Sequence, residues 1–219
     1  INEAWVNFAC SLKRLGTVVI LKKLDNEAIR RFQKLVVGRK LSRIMVHEEA
    51  CRGGITKMLK TVFCQDQFEH LRITNSEPWK GTAVRQLLHF WAENSRDKLR
   101  GKHFSLNGNC RKGVAQLEEF LISRASASLD RILNVEICSK EECDFIDKYY
   151  RHRMMICLKP SCVYKFEEGE GDQRRRLYIS FECAKKGERR SGRYVPVNHR
   201  GCNAIKSMRD TSLLHILFA

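Results

Sequence analysis

The sequence predicts an α/β fold: strand–helix repeats stacked as a short leucine-rich-repeat-like horseshoe, closed by a C-terminal β-hairpin. Two observations carry that expectation. First, short apolar strand-like runs alternate with amphipathic helix-like runs five times, in units of about 25–33 residues, near the period of strand–helix repeats. Second, the strand-like runs show mixed alternation, as half-buried strands do. Only Thr17–Leu21 has the continuous apolar character of a strand covered on both faces, as in a doubly wound sheet. Units of this kind cannot bury their apolar faces alone, so they stack and offer a long surface suited to holding another macromolecule.

The elements follow in chain order. Residues 1–15 carry Trp5, Val6, Phe8, Leu12 and Leu15, an apolar-faced capping segment of the kind a stack needs at its end. Residues 16–150 form the repeat region. Its strands are expected at Gly16–Leu21, Leu41–Val46, Phe68–Ile73, His103–Leu106 and Leu129–Ile137. Helices are expected at Asp25–Val37, Ile55–Phe63, Gly81–Ala92, Gly113–Ile122 and Glu141–Tyr150. In the first of these, Ala28, Ile29, Phe32, Leu35 and Val36 recur at helical spacing, Asp25 and Asn26 are N-cap candidates, and Gly38 is a C-terminal stop. Val84, Leu87, Leu88 and Trp91 make one helical face; Val114, Leu117, Phe120 and Leu121 make another. The loop 75–81 holds Pro78 and Trp79 and reads as a surface turn. Trp79 contacts a partner if it is exposed, and staples onto Leu87 or Leu88 if it is not.

After Tyr150 the character changes. Met154–Phe166 and Arg175–Cys183 flank a glycine- and acid-rich stretch, the signature of a hairpin, and residues 151–184 are read as the closing unit that covers the open sheet edge. Residues 185–219 read as a basic, partly flexible tail. Its apolar end, Ser212–Ala219, is too short to be a stable helix alone and is expected to dock on the body or touch a partner.

The 219 residues carry 41 Lys and Arg against 25 Asp and Glu, a net charge of +16. That excess exceeds what solubility requires and draws acidic partners. The densest run is Arg174, Arg175, Arg176, Lys185, Lys186, Arg189, Arg190 and Arg193, taken as the electrostatic contact surface together with Trp79. No apolar run reaches the roughly 18 residues of a membrane span, and no signal-peptide pattern opens the chain, so no membrane partner is expected. The ten cysteines are irregularly spaced. Without a secretory context they read as reduced and intracellular, cytoplasmic or nuclear. Cys138, Cys143, Cys157 and Cys162 share four-residue gaps and form the one arrangement worth testing for zinc. The absence of any C-x2-C pair and the helical position of Cys143 favour reduced core cysteines instead.

Catalytic signatures are missing: no G-x-S-x-G elbow, no Walker A loop, no H-E-x-x-H, and no G-x-G-x-x-G after a strand. The seven histidines are dispersed, and His47 with Glu48 and Glu49 reads as a polar loop before a helix. No enzyme and no cofactor is expected.

Phe68–Ser76, with Leu71, Ile73 and Ser76 in an L-x-I-x-x-S arrangement, is followed by a helix ending Leu87–Trp91. This pair resembles the F-box-associated C-terminal regions of nematode F-box proteins. His103–Asn107 and Leu129–Cys138 resemble later repeat strands, and Met154–Leu158 with Arg175–Phe181 resembles the closing strand pair, so the likeness runs from Gly16 to Cys183. It implies a protein-binding repeat domain that recognises targets for an SCF-type ubiquitin ligase. A Skp1-like adaptor would be bound by F-box helices, which this chain does not contain. The alternative is a basic nucleic-acid-binding protein, with RNA held through phosphates and Trp79, Phe90, Trp91, Tyr149 or Tyr150 stacking on bases, or an obligate subunit of a ribonucleoprotein or other complex. An acidic protein would suit the charge equally.

Overall fold

The computed structural model describes residues 1–51, 53–75, 80–94, 96–124, 135–149, 162–171, 174–181 and 205–219. Helix α1 (Glu3–Ser11) leads into β1 (Leu15–Ile20), α2 (Asn26–Val37) and β2 (Leu41–His47). A 3-10 turn at Glu48–Cys51 precedes α3 (Gly54–Phe63), β3 (His70–Asn75), α4 (Ala83–Glu93), the short α5 (Arg96–Leu99) and β4 (His103–Gly108). Then come α6 (Arg111–Arg124), β5 (Val135–Ile137), α7 (Lys140–Tyr149), β6 (Cys162–Glu168), β7 (Arg175–Phe181), a second 3-10 turn (Ile205–Asp210) and β8 (Leu213–Phe218). The expected strands and helices are thus recovered with shifts of a few residues. Residues 129–134, 150 and 154–161 of the expected elements lie outside the described residues.

The protein is mixed α/β, with one eight-stranded sheet in the order β1-β2-β3-β4-β8-β7-β6-β5. β1 to β4 are parallel neighbours, each joined to the next through a helix. From β4 onward every pairing is antiparallel. β6 and β7 pair as the expected hairpin, but the strand laid against the edge of β4 is β8, not the hairpin. The apolar end of the expected tail does dock on the body, and it does so as β8, a strand at the middle of the sheet. Six apolar or aromatic-sized side chains in a row, all buried, are what a strand covered on both faces requires.

Local chemistry sets the helix ends. Asp25 Oδ1 accepts from the Ala28 N–H at 2.7 Å, and Gly38 ends α2 by donating to the Lys34 carbonyl at 2.9 Å. Ser139 and Glu142 form a capping box at the start of α7, each side chain accepting from the other's backbone N–H at 3.2 and 3.0 Å. Helices α1, α2, α3, α4 and α6 pack in succession along one face of the sheet, and the 205–210 turn continues the row. Their apolar stripes meet Ile44, Val46, Leu71, Ile73, Phe104, Leu106, Leu214 and Ile216 in one core. Phe218 closes it against Phe63, Trp91 and Phe104, with ring centroids 5.8–6.0 Å apart. On the opposite face α7 lies against the antiparallel end, where Ile146 and Cys138 pack with Tyr178 and Leu217.

Gly108 has φ +96°, and a Cβ there would overlap the Asn75 carbonyl oxygen. That carbonyl accepts from the Asn109 N–H at 2.9 Å, while the Gly108 N–H donates to Ser212. Gly108→Ala is therefore expected to cost about 3 kcal/mol, read as a lower urea midpoint with unchanged slope. Phe218→Ala should cost about 3–5 kcal/mol by leaving a cavity under Trp91, measured the same way.

Candidate functional site

The face of the sheet opposite the helices is polar, and register explains why. In a strand the side chains alternate, so Arg43, Met45 and His47 of β2 oppose the inward Ile44 and Val46. The same alternation turns His70, Arg72 and Thr74 of β3, and His103, Ser105 and Asn107 of β4, to that second face. In-register parallel pairing lines them up in rows: Thr17, Arg43, His70 and His103 in one, Val19, Met45, Arg72 and Ser105 in the next. β8 extends the rows with Leu217 beside His103 and His215 beside Ser105.

His70 and His103 stack with ring centroids 4.1 Å apart, and His70 Nε2 lies 2.8 Å from Ser105 Oγ. Burial pushes both rings toward the neutral form. His70 falls well below the ordinary histidine value, with His103, His215, Arg72 and Arg43 adding to the effect. His103 drops to about 4: burial dominates, Glu69 opposes it, and Arg43 and Arg72 assist. Glu69 anchors the row's margin, holding Arg43 at 3.1 Å and Arg14 at 2.8 Å. Burial raises the Glu69 carboxyl, but those two guanidiniums outweigh it and hold it below the carboxylate range. His103 Nε2, Arg72 Nε and His47 Nδ1 are buried with no hydrogen-bond partner among the described residues.

The predicted contact residues fare differently. Arg174 and Arg176 both pair with Glu167, and Arg176 also donates to the Tyr178 hydroxyl at 2.8 Å. Arg175 donates to the Trp91 and Ala92 carbonyls at 2.7 and 2.5 Å, satisfying the C-terminal end of α4. These three arginines are engaged within the fold. Trp79, Lys185, Lys186, Arg189, Arg190 and Arg193 lie outside the described residues. Of the aromatic residues named for base stacking, Trp91 is buried against Phe120 and Phe218 and is not available, whereas Tyr149 is exposed. Cys138 is buried and its thiol is pushed up to about 12, mainly by burial. Cys143 is half-buried, Cys157 lies outside the described residues, and so does the side chain of Cys162. Among the described residues no cluster of three His, Cys, Asp or Glu side chains is placed to hold a metal. Glu48 is buried and accepts from the Gly81 N–H, so with His47 and Glu49 it makes no acid–base pair.

Sequence reasoning treated the histidines as dispersed and missed the His70–His103 stack. The signal was the shared pattern of a His followed by alternating apolar residues at His70–Ile73 and His103–Leu106, and in-register pairing brings the two rings side by side. A second group also emerges at the rim where the parallel strands end. Lys22 and Lys23 follow β1, Lys80 precedes α4, and Arg111 and Lys112 open α6; all are exposed and make no ion pair among the described residues.

Comparison of the chain with protein-family models, curated proteins and solved structures returned no match. No helix among the described residues is long and apolar enough to cross a membrane.

The neutral histidines make stability pH-dependent. Above pH 6.5 both folded and unfolded chains hold these rings neutral. Below it the unfolded chain takes up protons that the folded one refuses, so stability falls until the folded ring titrates. For His103, between 6.5 and about 4, the loss is about 3 kcal/mol. Urea unfolding across that range should show it, and His103→Gln should flatten the dependence. Arg175→Ala, which removes two hydrogen bonds to the last carbonyls of α4, should cost about 1–2 kcal/mol by the same assay at pH 7.

Proposed function

We propose that this chain is a protein-binding domain that recognises targets for an SCF-type ubiquitin ligase. The observation that supports it is the second face of the parallel half: matched positions of successive strands line up as rows of polar and basic side chains over a fixed core. Such a surface varies its chemistry one residue per repeat without disturbing the packing beneath. We read the four parallel strand–helix units as the start of a leucine-rich-repeat-like horseshoe, and the resemblance of Phe68–Ser76 and Leu87–Trp91 to F-box-associated regions adds the ligase context.

Binding of RNA is the second reading, favoured by the exposed cations at the C-terminal rim of the parallel strands, Lys22, Lys23, Lys80, Arg111 and Lys112. The two readings part on salt. Phosphate contacts give a log–log slope of roughly −0.7 per contact on single strands, while recognition of a protein by a half-buried face is far less salt-sensitive.

Affinity capture of the full-length protein from its source cells, at physiological salt, is the test. The ligase reading expects a Skp1-like adaptor and a cullin together with a target. Arg72→Ala should lower target recovery about fivefold or more while leaving adaptor recovery unchanged. Recovery of RNA in place of adaptor and cullin would overturn it.

A further inference from the structure

We infer that the outer edge of β1 is a docking slot for an extended peptide strand, apolar at alternate positions and acidic at both ends. Among the described residues β1 stands at one end of the sheet and pairs with β2 alone. The Leu15 N–H donates to the Lys40 carbonyl at 3.0 Å. In a parallel ladder backbone direction alternates, so Leu15, Thr17 and Val19 turn toward β2, and Val18 and Ile20 turn their N–H and C=O groups outward, while the Gly16 carbonyl accepts from Ser42 Oγ at 3.0 Å. Those outward groups are a ready template for one more strand.

The side-chain slot is present as well. α1 packs on α2 and buries Val6 and Ala9, but leaves Ile1, Trp5 and Phe8 exposed, Phe8 at 63%. Between α1 and β1 lies a cavity of about 330 Å³, lined by Ile1, Trp5, Val18, Ile20, Leu24 and Phe32 among others. That volume reaches the range of ligand pockets, roughly 300 Å³ upward. Elsewhere in the parallel half the helix row rests on a strand; here the cavity occupies the position where the inward side chains of a strand beside β1 would sit.

Charge selects the occupant. Lys13 and Arg14 precede β1, Lys22 and Lys23 follow it, and all four are exposed. Arg14 is shared with Glu69, while Lys13, Lys22 and Lys23 make no ion pair among the described residues. The nearby acids are committed elsewhere: Glu3 to Lys34, Glu27 to Arg31, and Asp25 to the start of α2. A second copy of the chain would bring the same lysines edge to edge against a net charge of +16. A nucleic acid supplies neither the backbone partners nor the alternating apolar groups that the slot matches. A peptide strand with acidic ends supplies both. The site stands apart from the ligase reading and does not depend on it.

The probe is a synthetic peptide of alternating valine and threonine between pairs of aspartates, with a control of the same ends carrying proline at alternate positions. The full chain should bind the first and not the second. Binding should shift the fluorescence of Trp5, a signal lost in Trp5→Phe, and should slow amide exchange at Val18 and Ile20. The double variant Lys22→Glu, Lys23→Glu, which touches no packed residue, should bind about tenfold more weakly. Val18→Phe, which fills the slot, should abolish binding while keeping the urea midpoint near that of the parent. Equal binding of the proline peptide, protection confined to other strands, or β1 protection that appears on self-association of the chain without peptide would overturn the assignment.

Discussion

Leu213–Phe218 lies between β4 and β7, antiparallel to both, and among the described residues it joins the parallel half of the sheet to the antiparallel half. All six of its side chains are buried. Its ends are tied by further backbone bonds: Gly108 N–H to the Ser212 carbonyl at 2.9 Å, Phe218 N–H to Lys102 at 2.9 Å, and Gly101 N–H to Phe218 at 2.8 Å. Just beyond, Ala219 and Arg176 exchange bonds at 2.9 and 3.2 Å. Without this strand β4 would be a bare edge, and Phe63, Trp91 and Phe104 would lose the ring they share.

The two faces of the sheet solve different problems. The helix side is a continuous apolar layer, where burial is favourable and non-directional. The other side carries histidines and arginines into low dielectric, where the uncharged ring is the cheaper form. His70 and His103 stay neutral there because the surrounding charges are also positive, and Glu69 is already held by Arg14 and Arg43. The result is a strip in which two neutral histidine rings lie among the guanidiniums of Arg43 and Arg72. The exposed cations at the strand rim and this strip are thus distinct features of the same sheet, one solvated and one largely buried.

Much of the fold was legible because the helices announce themselves by period. Ala28, Phe32, Leu35 and Val36 fall on one face, Asp25 caps and Gly38 stops, and the structure keeps each role. The parallel strands were legible from the spacing between helices. What escaped was pairing that depends on residues far apart. Nothing local in Leu213–Phe218 says that its partners are Leu106 and Ile179 rather than solvent or another protein. Likewise Arg174–Arg176 reads as a basic patch until Glu167 is found across the hairpin and the end of α4 beside Arg175. The polar face was half legible: alternation put His70 and His103 on one side of their strands, but only the in-register parallel ladder made them neighbours. The cavity at β1 had no sequence signature, since it is defined by what lies next to the strand.

The pairing of Phe104 with Ile216 also bears on how the molecule is made. Contacts within the α1–β4 region join residues a few tens of positions apart, whereas β4 meets β8 only after a far longer loop is closed. Topology of that kind slows folding, because chain entropy is lost before the contact rewards it. During synthesis the N-terminal units emerge and collapse first, with the edge of β4 unpaired and its apolar side chains waiting. That interval is when strand edges find wrong partners, and it ends only when Leu213–Phe218 reaches the edge of β4 and covers it.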